Sequence, residues 1–254
     1  VTITGTGFQQ AGFQAPITIT NTGAAQTDYQ VRTVINTSAL IPAKMMANCT
    51  DLRVKDTDGT TDIPYWIESG CNTTSTVVWA KVPAIAAGTV PSPVNTVIYI
   101  TYGSGNLTSS SNGDNTFIFF DDFESGSINT NKWVTGGSLP SYWIADAANP
   151  YQGGYGSSNA DINDGQFEVL VSKGGAGLIN VPNGSSAIID FWWKISSENG
   201  YDFLRYCKDD TDTATVQPTL LGSCISGGIG SPINSIAGAV AYTREQTTSS
   251  SNLL

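Results

Sequence analysis

The acidic run Asp121, Asp122 and Glu124, directly behind the apolar Phe117–Phe120, is the first place where this chain could do chemistry. Paired carboxylates can serve as general acid and base, or can ligate Ca2+ together with carbonyl oxygens. Solvated acids at the end of a strand are the plainer alternative. Asp161–Gly165 (DINDG) looks like a calcium loop, but Gly165 falls where an EF-hand places a ligand. A third constellation lies in Ile188–Ser196 (IIDFWWKIS). In a strand, Ile189, Phe191, Trp193 and Ile195 face one way, and Ile188, Asp190, Trp192 and Lys194 the other. The second face sets Trp192 between Asp190 and Lys194. Such a face can bind a sugar, with the indole as a plate for the ring and polar groups for its hydroxyls. Packing of Trp192 beneath a loop is the alternative. Gly174–Gly177 lacks both phosphate-loop patterns and no helix follows it, so it reads as a turn. Ser196 and Ser197 have no base beside them to activate a hydroxyl.

Composition narrows the chemistry further. The chain has 254 residues, 13% of them charged, a net charge of -10 and no His. That length suits two domains of ordinary size. An acidic surface repels phosphate backbones, so nucleic acid is not an expected partner. Without His there is no Ser-His-Asp or Cys-His catalysis and no imidazole metal site. No apolar run reaches the ~18–20 residues of a membrane-spanning helix. The chain begins at Val1 rather than Met, which reads as a processed chain or a fragment.

Four cysteines fall as two neighbouring pairs, Cys49 with Cys71 and Cys207 with Cys224. Residues close in sequence meet more readily than distant ones, so each pair is expected to bridge within its own domain. Each bridge would close a loop of roughly 20 residues, worth ~3 kcal/mol in the chain-entropy model. Free buried thiols are the alternative. Neither pair has the C-x-x-C spacing of zinc or redox sites. Scarce charge, abundant Thr, Ser, Asn and Gly, and paired Cys together point to an extracellular protein. Asn-x-Ser/Thr triplets stand at Asn36, Asn48, Asn72, Asn106 and Asn183. In so Asn-, Ser- and Thr-rich a chain about that many arise by chance, so they only permit glycosylation.

The elements that must position these residues read as strands. Val1–Thr4 and Pro16–Asn21 alternate with a period of two, and Tyr29–Ile35, Asp51–Val54, Ile63–Ile67, Thr76–Val82 and Val94–Tyr102 follow. Asp56–Gly59 (DTDG) predicts a hairpin turn, and Leu40–Ala47 could form one helical turn. Ser104–Asn115 is rich in Gly, Ser and Asn and reads as a linker. The apolar Phe117–Phe120 then reads as the first strand of a second domain. Many short strands with no sustained helical period predict an all-β protein of two antiparallel β-sandwich domains in tandem.

Several stretches match known families. PITITNTG (Pro16–Gly23), DYQVRTVINTS (Asp28–Ser38), DLRVKDTDGTTDIPYWIESGC (Asp51–Cys71), VVWAKVP (Val77–Pro83) and VIYITYG (Val97–Gly103) resemble an uncharacterised domain of archaeal and bacterial surface proteins. That domain commonly precedes a concanavalin A-like or other jelly-roll domain. FFDDFESGSINTNKW (Phe119–Trp133), SSNADINDGQ (Ser157–Gln166) and DFWWKISSENGYDFLRY (Asp190–Tyr206) resemble such a lectin-like module. The resemblance implies residues 1–15 as an extension, 16–103 as the first sandwich, 104–116 as linker and 117–254 as a jelly-roll domain. It also implies a cell-surface setting, and it raises the expectation of structural Ca2+ on Asp121, Asp122 and Glu124. The glycosidase pattern of that fold, three acids on alternate residues of one strand, is absent.

The expected protein is therefore a non-catalytic structural or adhesive subunit of an extracellular filament, its partners being copies of itself. The alternative is a secreted module that binds cell-surface glycans. In the filament reading, Val1–Phe13 inserts into a neighbouring subunit, anchored by Val1, Ile3 and Phe8; in the alternative it is an ordinary first strand.

Overall fold

The structure is a computed structural model. It describes residues 12–41, 43–105, 107–138, 143–172, 179, 186–196, 203–204, 233–234 and 242–249. The described chain is nearly all β, with antiparallel pairing throughout. It divides into two units, Val1–Phe120 and Asp121–Leu254.

The first unit contains β1 (Phe13–Asn21), β2 (Gln26–Ile35), β3 (Arg53–Lys55), β4 (Tyr65–Ser69), β5 (Thr76–Ile85), β6 (Val94–Tyr102) and a single helical turn, α1 (Gly113–Thr116). The strands form two three-stranded sheets, ordered β1-β6-β3 and β2-β5-β4. Both sheets feed one apolar cluster. Val54, Ile98, Ile100 and Tyr102 enter it from the first, and Tyr65, Val78, Ala80, Val82 and Ile85 from the second. The alternation of VNTVIYITY produces this directly. Thr96, Ile98, Ile100 and Tyr102 are buried while the residues between them are not.

Strand β1 starts at Phe13, opposite Tyr102, so the pairing reaches three residues into the expected extension. Within Leu40–Ala47 the Lys44 N–H donates to the Leu40 carbonyl at 2.8 Å, which closes one helical turn and no more. The DTDG turn forms as expected. Gly59 takes a left-handed φ of 70°, which favours glycine, and its N–H donates to the Asp56 carbonyl at 2.9 Å. The Asp58 carboxylate accepts from Thr61 Oγ1 and from the N–H groups of Thr61 and Thr60. These bonds hold its carboxyl well below the usual carboxylate range, the Thr61 hydroxyl contributing most.

Two polar side chains tie the loops to the sheets. Asp51 is 1% exposed, and its carboxylate accepts from the N–H of Met46 at 3.0 Å and of Gly103 at 2.8 Å. The Arg53 guanidinium donates to the carbonyls of Leu52 at 2.6 Å, Thr50 at 2.8 Å and Thr108 at 2.7 Å.

The Thr108 contact begins a strap that replaces the expected linker. Asn112 N–H donates to the Tyr65 carbonyl and Ile67 N–H donates to Ser111 Oγ, each at 2.8 Å. The segment therefore runs along the outer edge of β4. Asn112 then caps α1 by accepting from Asn115 N–H at 2.9 Å. Beyond the turn, Phe117–Phe120 is not a strand and does not belong to the second unit. Its rings cover a cross-strand indole pair, Trp66 of β4 opposite Trp79 of β5. Phe117 meets Trp79 edge-on at 5.4 Å between centroids, and Phe120 meets Trp66 at 4.8 Å. The apolar run is only partly buried, and Ile118 is 52% exposed. Its partner is indole surface on the outward face of a sheet, which periodicity does not reveal.

The second unit contains β7 (Trp133–Gly137), β8 (Ile144–Asp146), β9 (Gly156–Ser158), β10 (Glu168–Ser172), β11 (Ala187–Trp193), β12 (Phe203–Leu204), β13 (Ile233–Asn234) and β14 (Thr243–Ser249). Among the described residues these form four antiparallel pairs, β7-β10, β8-β9, β11-β14 and β12-β13. Among the described residues no helix is long and apolar enough to cross a membrane.

The strap predicts a measurable contribution to stability. Phe117→Ala should cost the first unit about 2–4 kcal/mol, toward the lower part of the range for Phe truncation because the ring is only half-buried. Gly113→Ala should also destabilise it, since a Cβ there would lie 2.3 Å from the Phe120 ring. Denaturation followed by tryptophan fluorescence reads both, and variants as stable as the parent would show that the strap does not hold the unit together.

Candidate functional site

Two groups in the second unit contain the expected site residues. The first is the acidic entry. Asp121 accepts from Phe123 N–H at 2.9 Å through Oδ1 and from the Trp133 indole N–H at 2.7 Å through Oδ2. Phe123, at a left-handed φ of 59°, lays its ring on Trp133 at 6.1 Å. Asp122 Oδ1 accepts from Glu124 N–H at 3.2 Å. Glu124 reaches in another direction. Its Oε1 accepts from Gly154 N–H at 2.8 Å and Tyr155 N–H at 3.0 Å. Gly153 permits that approach. Its φ is 71°, and any Cβ there would lie 2.2 Å from Glu124 Oε1.

These acids diverge. Among the described residues no three His, Cys, Asp or Glu side chains gather as a metal site. The hydrogen bonds of Asp121, Asp122 and Glu124 thus lead to different partners. The DINDG segment is a turn, with Asn163 N–H donating to Gln166 Oε1 at 2.7 Å.

The second group is aromatic. In the register of β11 with β14, Trp192 lies opposite Arg244 and Asp190 opposite Gln246. The Arg244 guanidinium forks onto the Asp190 carboxylate, with Nε to Oδ1 at 2.8 Å and Nη2 to Oδ2. The same guanidinium lies 5.8 Å from the Trp192 ring centroid. Tyr151 stacks on Trp192 at 4.0 Å and 14°, and Tyr242 meets Tyr151 edge-on at 5.2 Å. Lys194 Nζ sits 5.1 Å over the Tyr242 ring. Tyr242 O–H donates to the Asn149 carbonyl. Loss of water pushes that hydroxyl's pKa up, and Asp146 adds to the shift.

Asp190, Trp192 and Lys194 are thus brought to one group, as strand geometry requires. Sequence reasoning missed Tyr151, Tyr242 and Arg244. Tyr151 comes from a loop, Tyr242 from just before β14, and Arg244 from β14 itself, whose pairing with β11 no local pattern announces. Tyr151, not Trp192, is the outer plate, at 44% exposed. Among the described residues, the enclosed indole N–H groups of Trp143 and Trp193 meet no hydrogen-bond partner.

In the first unit, Cys49 and Cys71 are bridged, with their Cα atoms 6.1 Å apart. Asn36, Asn48 and Asn72 are exposed. Val1, Ile3 and Phe8, Cys207 and Cys224, Asn106 and Asn183, and Gly174–Gly177 lie outside the described residues.

Residues 48–136 match the family model of a domain of unknown function, DUF2341. The stretch runs from the loop of Cys49 through β3 to β6, across the strap, and into β7. The chain is similar to that family over this stretch, which is well under half of its length. The expected resemblance began at Pro16; β1 and β2 fall outside the match, and the acidic entry falls inside it. Searches of curated proteins and of solved structures returned no match.

The divergence of the acids predicts that EDTA leaves the melting temperature unchanged. A drop on chelation, reversed by added Ca2+, would place an ion among them.

Proposed function

We propose that this protein is a non-catalytic structural or adhesive subunit of an extracellular filament, assembled from copies of itself by strand addition. One observation carries the reading. The core of the first unit is covered unevenly. On the β3 and β4 side it is closed by the bridged loops and the strap, and Val54 and Tyr65 are 1% and 2% exposed. On the other side β1 and β2 are both edge strands among the described residues. Their inward residues, Ala15, Ile17 and Ile19 on β1 and Val31 and Ile35 on β2, are only partly buried. Tyr29 and Val34 of β2 are 45% and 51% exposed. Free edges beside an incompletely covered core are sites for an added strand.

The occupant we assign is Val1–Gly12 of a second copy. The segment carries no charged side chain and alternates at Val1 and Ile3, with Phe8 as a further anchor. Phe13 is not part of it, because its ring already stacks on Tyr102. A head-to-tail contact of this kind repeats into an open fibre. The Cys49–Cys71 bridge is compatible with an extracellular setting, and the jelly-roll reading of the second unit belongs to the same proposal. Deleting Val1–Gly12 tests it by sedimentation and negative-stain microscopy. The truncated chain should remain monomeric while the full chain forms fibres. A truncated chain that still assembles, or a full chain that stays monomeric when concentrated, would rule the mechanism out.

A second reading, binding of cell-surface glycans, is favoured by the Tyr151, Trp192 and Tyr242 group with its flanking charges. An exposed ring over a second ring is a platform for the apolar face of a sugar. Tyr151→Ala and Trp192→Ala should each abolish retention on polysaccharide. Unchanged retention would remove this reading.

A further inference from the structure

Asn36, Asn48 and Asn72 are scattered in sequence, and each heads an Asn-x-Ser/Thr triplet. The fold gathers them at one end of the first unit. Asn36 precedes Thr37, whose Oγ1 accepts from the N–H of Asn72 at 3.0 Å. Ser38 N–H donates to the Thr73 carbonyl at 3.0 Å. Asn48 and Asn72 each adjoin one half of the Cys49–Cys71 bridge, whose Cα atoms are 6.1 Å apart. All three asparagines are exposed.

Two of the triplets share a further feature. Ser38 Oγ–H donates to Asn36 Oδ1 at 2.8 Å, and Thr50 Oγ–H donates to Asn48 Oδ1 at 2.9 Å. The third-position hydroxyl, which separates an acceptor triplet from a bare asparagine, therefore lies on the amide to be modified. Chance explains the number of triplets in so Asn- and Thr-rich a chain. It does not require three of them to meet, solvent-exposed, around a single bridge.

We propose that Asn36, Asn48 and Asn72 are N-glycosylated together and form a carbohydrate collar around the disulfide end of the first unit. In each transfer Nδ2 bonds to the anomeric carbon of an oligosaccharide carried on a lipid pyrophosphate. The bond from that carbon to the pyrophosphate oxygen breaks, the lipid pyrophosphate leaves with the electron pair, and Nδ2 loses one proton. No oxidant or reductant is needed. The proposal rests on the extracellular reading, because a chain must reach the secretory side to be modified this way.

The test is mass spectrometry of proteolytic peptides from protein isolated out of its own cells, with the chain located by surface fractionation. Peptides holding Asn36, Asn48 and Asn72 should each carry sugar mass. Ser38→Ala, Thr50→Ala and Thr74→Ala should each reduce that signal to background at its own asparagine alone. These substitutions spare the turns, since Asn36 Oδ1 still accepts from Ala39 N–H and Asn48 Oδ1 from the N–H of residue 50. Bare peptides from a surface-located chain would overturn the collar and leave the extracellular reading intact. A chain confined inside the cell would overturn both.

Discussion

Two indoles that point away from a core need a cover, and in the first unit that requirement sets the border of the fold. Trp66 and Trp79 stand side by side on the outward face of β4 and β5. The Trp79 indole N–H is held by Glu68 at 2.6 Å, which leaves the ring faces to be desolvated. Phe117 and Phe120 do that, and their arrival determines the path of everything between Gly103 and Asp121. Arg53 on Thr108 and the β4 backbone on Ser111 and Asn112 hold the strap down along the way. The same strap covers the edge of β4.

Much of the first unit was legible in the sequence, because its signals are local. The alternation of Val94–Tyr102 states which residues go inward, and DTDG states where the chain turns. The strap was not legible, for a physical reason. Its backbone partners lie on β4, more than forty residues earlier, and Ser and Asn serve equally well as solvated linker or as edge-binding groups. A Gly/Ser/Asn-rich segment is disordered when it has no surface to bind. This one has a surface, and composition alone does not report the difference.

The candidate site divides the same way. Strand geometry placed Asp190, Trp192 and Lys194 on one face, and they do meet at one group. Their partners Tyr151, Tyr242 and Arg244 depend on a loop and on a long-range register. The acids at the second unit's entry taught the opposite lesson. Three carboxylates within four positions look like a shared site, yet a left-handed residue at Phe123 and a close approach at Gly153 send them to different donors. Proximity in sequence fixed their neighbourhood and not their direction.

The strap also determines how the first unit would bear a mechanical load. Tension drawn through Asp121 does not reach β6 directly. It first meets the rings on Trp66 and Trp79, then the bonds to β4, and only after those the Arg53 clamp at Thr108. Strand β1 pairs with β6 from Phe13 opposite Tyr102, so a pull shared between those two residues would open that ladder from its end, one rung at a time. A ladder opened in that way yields at low force. By holding the chain against the outer sheet, the strap takes up the strain before the weak direction of the fold is loaded.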